Sequence, residues 1–511
     1  MDLELTTRAE SGQAGAPRSR VAPLALQREA FRRAGHALVD QLADFLAGAP
    51  DGPVTPAEAP AQVRHALDAD ASLPQQGTDL EPLVASTARL LCEHSLLNGH
   101  PRFFGYITSS PAPVGMLGDF LAAAVNPNVG AWQLSPMASE IEAQAVRWIA
   151  ELVGYPTSCG GLLVSGGNMA NFTALLTALA AENPDGRQQG RAPAGRRPAH
   201  VYASTETHTW LQKSADLAGI GTDAVRWLPA GEDQCLDIVS LREALAHDRA
   251  AGERTAMVVG NAGTVSTGAV DPLAEIAAIC RAAGVWCHVD GAYGGFAAAL
   301  PEASPDLRAL ARADSVALDP HKWLYAPLEA GCVLVRDPEA LRNAFSYHPP
   351  YYHFGEAATN YFDYGPQNSR GFRALKVWLA LRHAGRSGYL RMISDDVRLA
   401  ALLHRELQQQ SEIEARTLNL SIATFRYVPA DLRGQLGDQA VEEYLDMLNE
   451  QLLERIQASG EAFVSNAVVG GRYLLRACIV NLNTDVPDVQ ALPVLVARLG
   501  REVDARLRAS R

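Results

Sequence analysis

TAMVVGNAGTVSTGAVDPLAEIAAICRAAGVWCHVDGAYGG, residues 255–295, reads as a strand, a helix and a second strand. TAMVVGNAGT (255–264) is a continuous apolar run of the kind that fills a strand buried on both faces. DPLAEIAAICRAAG (271–284) offers Asp271 as N-cap, Pro272 in the first turn and Gly284 at the end, the punctuation of a helix. VWCHVDGAYGG (285–295) is the next strand, closing on small residues. Two strands joined by a crossover helix pair in parallel, and parallel sheets are covered by helices on both faces. The alternation runs from about residue 100 to 335, through DSVALDPHKWL (314–324) and GCVLVRD (331–337). The expected class is α/β, with a mostly parallel central sheet and helices on both faces.

Outward from that core, LQREAFRRAGHALVDQLADFLAG (26–48) sets Phe31, Leu38, Val39, Leu42, Phe45 and Leu46 on one helical stripe. An amphipathic helix ahead of any core strand needs a partner surface, in the chain or on another subunit. From about 385 the helices VRLAALLHRELQQQ and AVEEYLDMLNEQLLERIQASG alternate with strands such as LSIATFRYV and RYLLRACIV, an α+β module. The division expected is a disordered tail over 1–24, a helical segment over 25–99, a large domain over 100–385 and a small one over 386–511.

At 511 residues and a net charge of −13, the chain opposes nucleic-acid phosphates and anionic lipid. No apolar run reaches the roughly 18 residues that span a bilayer, and the acidic N-terminus does not read as a signal peptide. Seven scattered cysteines without C-x-x-C read as reduced thiols rather than a metal site. These features describe a cytoplasmic protein acting on small molecules, with no nucleic acid, membrane or metal.

Three stretches carry chemistry. Only Lys213, Lys322 and Lys376 are lysines among 44 basic residues, and Lys322 sits beside His321 among apolar residues in LDPHKWLYAPLEAG (318–331). An imine-forming lysine must reach its neutral amine, which apolar surroundings favour and arginine cannot do. Coding bias with a snorkelling side chain is the plain alternative. Asp290 closes a hydrophobic strand, as a cation partner or a surface cap. In GGLLVSGGNMANFTALLTALAAE (160–182), Gly166 and Gly167 open a helix whose first amides can cradle a phosphate, or simply make a turn. Neither dinucleotide nor P-loop fingerprint is present. An amine, a carboxylate and a phosphate cradle beyond strand ends suit pyridoxal phosphate.

With those residues in view, PHKWL (320–324), HVDGAYGG (288–295) and HPRFFGYITSS (100–110) together resemble the group II pyridoxal-phosphate-dependent amino-acid decarboxylases. That family includes the aromatic-L-amino-acid, histidine and glutamate decarboxylases. The resemblance runs from about residue 26 almost to the C-terminus. It implies the fold type I (aspartate-aminotransferase-like) architecture and a homodimer, joined through the N-terminal segment, with active sites at the subunit interface. Lys322 then matches the lysine that bonds the cofactor, His321 its neighbour, Asp290 the partner of the pyridine nitrogen and Ala292 the small residue under the ring. His208, in YASTETHTWLQKSADLAG, matches the stacking histidine, and Thr264 the threonine near the phenolic oxygen. Gly167 and Asn168 sit where the phosphate binds. In NYFDYGPQNSRGFRALKVW (360–378) Tyr361 falls on the mobile-loop tyrosine that returns a proton; a shifted alignment selects Tyr351, Tyr352 or Tyr364. Ser369 would approach the phosphate of the other subunit. Ile107, Thr108, Trp132 and Arg476 are the substrate-side candidates. Two positions depart from the family: Asp319, where asparagine is common, and Gly130, where aromatic-specific enzymes carry a larger ring.

The implied reaction is α-decarboxylation of an L-amino acid to the amine and CO2, with aromatic walls favouring an aromatic substrate. The competing readings are an acidic or diamino acid (glutamate, aspartate, 2,4-diaminobutyrate), another pyridoxal-phosphate lyase or aldehyde synthase, and an inactive binding homologue.

Overall fold

The computed structural model describes residues 22–191, 197–348 and 358–510. The tail expected over 1–24 lies almost wholly outside them, as do Tyr351 and Tyr352. The chain forms two compact units, one of residues through Gly48 with Glu58–His94, the other of Ala49–Ala57 with Ser95–Arg511.

In the larger unit seven strands form one sheet: β1 (Gly160–Val164), β2 (His200–Ser204), β3 (Val225–Leu228), β4 (Thr255–Asn261), β5 (Trp286–Asp290), β6 (Ser315–Leu318) and β7 (Gly331–Val335). Their order is β1-β7-β6-β5-β4-β2-β3. Pairs β2–β3, β2–β4, β4–β5 and β5–β6 are parallel, and β7 alone runs against its neighbours. This is the mostly parallel α/β sheet expected. Its carboxyl ends converge: Asn261 lies in register with Asp290, and Asp290 with Ala317.

The helix after β4 starts at Leu273 and ends at Ala283, with Gly284 at φ 69 accepting the left-handed turn. Asp271 does not cap it. Its carboxylate is buried and accepts from Leu236 N at 2.7 Å and from Asn261 N and Nδ2 at 2.7 and 2.8 Å. Three N–H donors, from the end of β4 and from Leu236, outbid one helix end.

A second sheet, antiparallel, follows: β8 (Ile413–Asn419), β9 (Ile422–Tyr427), β10 (Ser465–Val469) and β11 (Arg472–Cys478), in the order β10-β11-β9-β8. Helices Gln439–Ser459 and Val486–Ala509 accompany it. The helical stretch Ala374–Gln409 breaks at Gly385, whose φ is 65.

The smaller unit carries helices Arg28–Gly48, Pro60–Leu67 and Leu80–Glu93. Arg33 Nε donates to Glu81 Oε1 at 3.0 Å. Its apolar stripe is largely uncovered, with Phe31, Val39, Leu42 and Leu46 all exposed. No helix among the described residues is long and apolar enough to cross a membrane.

Candidate active site

Where the parallel strands end, a cleft enclosing about 450 Å³, part of it open to solvent, is lined by Gly167, Asn168, His208, Thr264, Asp290, Ala292 and Lys322. Segments up to 215 residues apart in sequence (107 to 322) thus meet at one edge, as the topology allows in an open α/β sheet. Ile107, Asn171, Asn261, Gly263, Val265, Tyr293 and Asp319 complete the wall.

The glycine turn after β1 is sterically enforced. Gly166 has φ 139, and a Cβ on Gly167 would stand 2.7 Å from Asp319 Oδ2 and 3.0 Å from Ala292 Cβ. Gly331, opening β7, could carry no Cβ either, since one would meet the Gly166 backbone at 2.5 Å. The helix Gly167–Glu182 therefore starts with its free amides at the cleft.

Lys322 projects from the turn Pro320–Trp323 after β6, and three elements hold that turn. Trp323 Nε1 and Tyr325 Oη both donate to Asp396 Oδ2, at 2.8 and 2.6 Å. Tyr389 Oη donates to Leu324 O at 3.1 Å, and Ser109 Oγ to His321 O at 2.8 Å. Trp323 stacks on Tyr293 at 5.0 Å and 12°. Burial pushes the Asp396 carboxyl up to about 8. The amine itself does not sit among apolar atoms: its Nζ lies 3.1 Å from Asp319 Oδ2. The family departure at 319 thus supplies a counter-ion for the free lysine. Asp319 Oδ1 is buried without a hydrogen-bond partner, and His321 Nε2 lies 3.7 Å from Oδ2.

Asp290 closes β5, accepting from Ala292 N at 3.1 Å and from Asn171 Nδ2 at 3.2 Å. His208 stands at the open side; partial burial holds its imidazole below the ordinary range, with Asp290 pulling the other way. Its ring is set by Trp210 N, which donates to Nδ1 at 3.1 Å, while Asn261 Nδ2 holds the adjacent Thr207 at 3.1 Å. Thr264 is buried, its Oγ1 3.1 Å from Thr267 Oγ1. Amine, carboxylate, small floor residue, imidazole and free helix amides around one flat cleft fit pyridoxal phosphate.

Not every candidate reaches the cleft. Tyr361, expected to return the proton, is 2 % exposed and packs with Val129, Leu162, Val164 and Val333. The Arg370 guanidinium lies 4.8 Å over its ring, and burial drives its phenol far above the ordinary range. That expectation is corrected: the segment folds it into the core, beside Tyr364 at 6.2 Å. Ser369 is exposed and does not line the cleft. Trp132 Nε1 donates to Glu140 at 2.8 Å, also away from the cleft, and Thr108 flanks Ile107 without lining it. Gly130 does not open the pocket, because a Cβ there would strike Asn368 O at 2.0 Å. Arg476 is buried against Ser465 Oγ (2.8 Å) and Tyr106 O (3.3 Å), with no hydrogen-bond partner at Nε.

The sequence reading missed Asn171, Asn261, His288 and Asp396. Two of these follow from periodicity: Asn171 is one helical turn past Gly167, and His288 shares a strand face with Asp290. Nothing local marks Asp396.

The pyridoxal-dependent decarboxylase conserved domain matches residues 60–428. The chain is 31 % identical over 485 residues to the aromatic-L-amino-acid decarboxylase of Bacillus atrophaeus, covering 94 % of this chain and 97 % of that one. It is 32 % identical over 480 residues to tyrosine decarboxylase 4 of Petroselinum crispum, covering 91 % and 92 %. Among solved structures, Oryza sativa TDC with PLP and tryptamine superposes with a TM-score of 0.87 at 28 % identity, covering 94 % of this chain and 99 % of that one. The protein belongs to the pyridoxal-dependent decarboxylase family. It is a pyridoxal-phosphate-dependent amino-acid decarboxylase.

Proposed function

We propose that this enzyme removes the α-carboxylate of an aromatic L-amino acid, releasing the amine and CO2. The observation that carries the reading is the convergence of Lys322, Asp290, His208, Thr264 and Gly167 on one cleft. End-to-end similarity to aromatic-L-amino-acid and tyrosine decarboxylases supports the substrate class.

When bound, pyridoxal phosphate supplies a ring that accepts the electron pair released as the carboxylate leaves Cα. Lys322 would hold the cofactor through its amine, with His321 supporting its turn. Asp290 would set its negative charge against the ring nitrogen and so favour its protonated form. Ala292 would leave room for the ring, and His208 would cover it. Gly167 and Asn168 would hold the phosphate at the helix start, and Thr264 would hold the phenolic oxygen. Arg476, buried with no carboxylate partner among the described residues, is a reserve of positive charge for the substrate carboxylate, and Ile107 supplies apolar wall. The proton returned to Cα falls to Tyr351 or Tyr352, since Tyr361 is locked beneath Arg370.

The proposal extends to assembly. Residues 25–99 form a dimerising segment, supported by the exposed stripe of Phe31, Val39, Leu42 and Leu46. Residues 100–385 bind the cofactor and 386–511 form the small domain, with the break at Gly385 supporting that boundary. The enzyme is a cytoplasmic homodimer with active sites at the subunit interface. The test is a panel of the twenty L-amino acids with CO2, amine, aldehyde and hydrogen peroxide all measured. Tyrosine, tryptophan or phenylalanine should give equal CO2 and amine. Turnover confined to glutamate or a diamino acid, or aldehyde with peroxide, overturns the substrate or the reaction.

A further inference from the structure

Alternate residues of a strand share a face, so the face of β5 that carries Asp290 also carries His288 and Trp286. Those side chains join a continuous hydrogen-bonded chain. Trp286 Nε1 donates to Ser315 Oγ at 2.8 Å, and Ser315 Oγ lies 2.8 Å from His288 Nδ1. His288 Nε2 lies 2.7 Å from Asn171 Oδ1, and Asn171 Nδ2 donates to Asp290 Oδ2 at 3.2 Å. Ser315 faces His288 in register on β6, and Asn171 descends from the helix Gly167–Glu182. His288, Ser315 and Asn171 are all essentially fully buried.

The direction of every proton in the chain is determined. A carboxylate only accepts, so Asn171 must turn its NH2 toward Asp290 and its oxygen away. That oxygen takes the Nε2–H of His288. Burial keeps the imidazole neutral, so Nδ1 is left as an acceptor for the Ser315 hydroxyl. The hydroxyl oxygen in turn accepts the indole N–H. Flipping the amide would set two acceptors face to face in a buried site, which costs far more than one lost hydrogen bond.

We propose that Trp286, Ser315, His288 and Asn171 act together as a positioning relay, fixing the amide orientation of Asn171 and through it the carboxylate of Asp290. The inference rests on the reading of Asp290 as partner of the cofactor's ring nitrogen. His208 also faces this corner, and the charges that bear on it are those of Asp290, Lys322, Asp319 and Lys213.

The test uses the full chain, titrated with pyridoxal phosphate and followed by visible absorbance across pH. Asp290→Ala tests the underlying reading and should weaken cofactor binding about a hundredfold; wild-type affinity in that variant overturns the reading itself. Ser315→Ala leaves Asn171 and Asp290 in place. It should raise the dissociation constant several-fold and lower by about one unit the pH at which the bound cofactor's absorbance changes, a tenfold loss in proton affinity. Ser315→Thr, keeping the hydroxyl, should restore both. A side chain needed only for packing would lower the thermal midpoint without moving that pH. Trp286→Phe, at the half-buried end, should shift the same readouts by a smaller amount and is read alone if Ser315→Ala does not fold. Wild-type affinity and pH response in these variants, with Asp290→Ala impaired, overturns the relay and leaves the reading of Asp290 standing.

Discussion

The strand ends beneath the cleft and the segment 358–370 both carry residues of the family motifs, yet they are built by opposite rules. At the strand ends the sheet decides: a residue that closes a parallel strand, or the turn just beyond it, faces the carboxyl edge, and Asp290 and Lys322 line one cleft there. In 358–370 packing decides. Arg370 donates to Val129 O at 2.9 Å, to Leu163 O at 2.6 Å and to Glu142 Oε2 at 3.2 Å, and its plane covers Tyr361. A buried guanidinium needs all of these acceptors, and satisfying them draws the tyrosine inward. Topology assigns the strand-end residues, whereas motif alignment alone does not assign a loop residue.

The contrast can be broken most forcefully at its first member. Lys322→Ala should lower amine formation at least about a thousandfold while the thermal midpoint of the apoprotein stays close to wild type. Residual turnover near wild type would remove the amine from the chemistry. Next in size, one of Tyr351→Phe and Tyr352→Phe should cost about a hundredfold in amine formation, whereas Tyr361→Phe should stay within a few-fold in steady-state assays. The reverse ranking would return the proton donor to the core tyrosine.

Gly167→Ala comes third, because its methyl must displace Asp319 or Ala292; cofactor affinity measured by absorbance titration should drop about tenfold.

Smallest, and spread over the whole molecule, is a pair of opposed pH effects on stability. Burial lowers His288 to about 4, below its unfolded value near 6.5, so the unfolded chain binds the extra proton first. Its contribution is present above pH about 6.5 and is lost as pH falls toward 4. Asp396 is raised to about 8, so its contribution is full below pH about 4 and lost as pH rises toward 8. Thermal melts of the apoprotein should show His288→Gln flattening the acid limb and Asp396→Asn the alkaline limb. An unchanged acid limb in His288→Gln would mean the ring is not held neutral.

Much of this is legible in the sequence. The strand runs 255–264 and 285–295 dictate the parallel sheet, and the residues closing them are candidates by position. His208, Thr264 and Ala292 came from motif resemblance and lie at the same cleft. What stayed hidden depends on long-range contacts. Asp396 lies more than seventy residues from Trp323, and its role exists only because the helix carrying it packs behind the lysine's turn. The ion pair of Asp319 with Lys322 required the turn's geometry, which a one-residue departure from a motif does not reveal. Gly130 shows the same limit: the motif reveals only a smaller residue, and not that the space beside it is filled by the backbone of Asn368.

The most direct measurement is borohydride reduction of the protein saturated with pyridoxal phosphate, followed by peptide mapping. One pyridoxyl group per chain on the peptide containing Lys322, with Lys213 and Lys376 unlabelled, is the expected result. A label on another residue, or a protein that stays colourless with the cofactor present, contradicts the account.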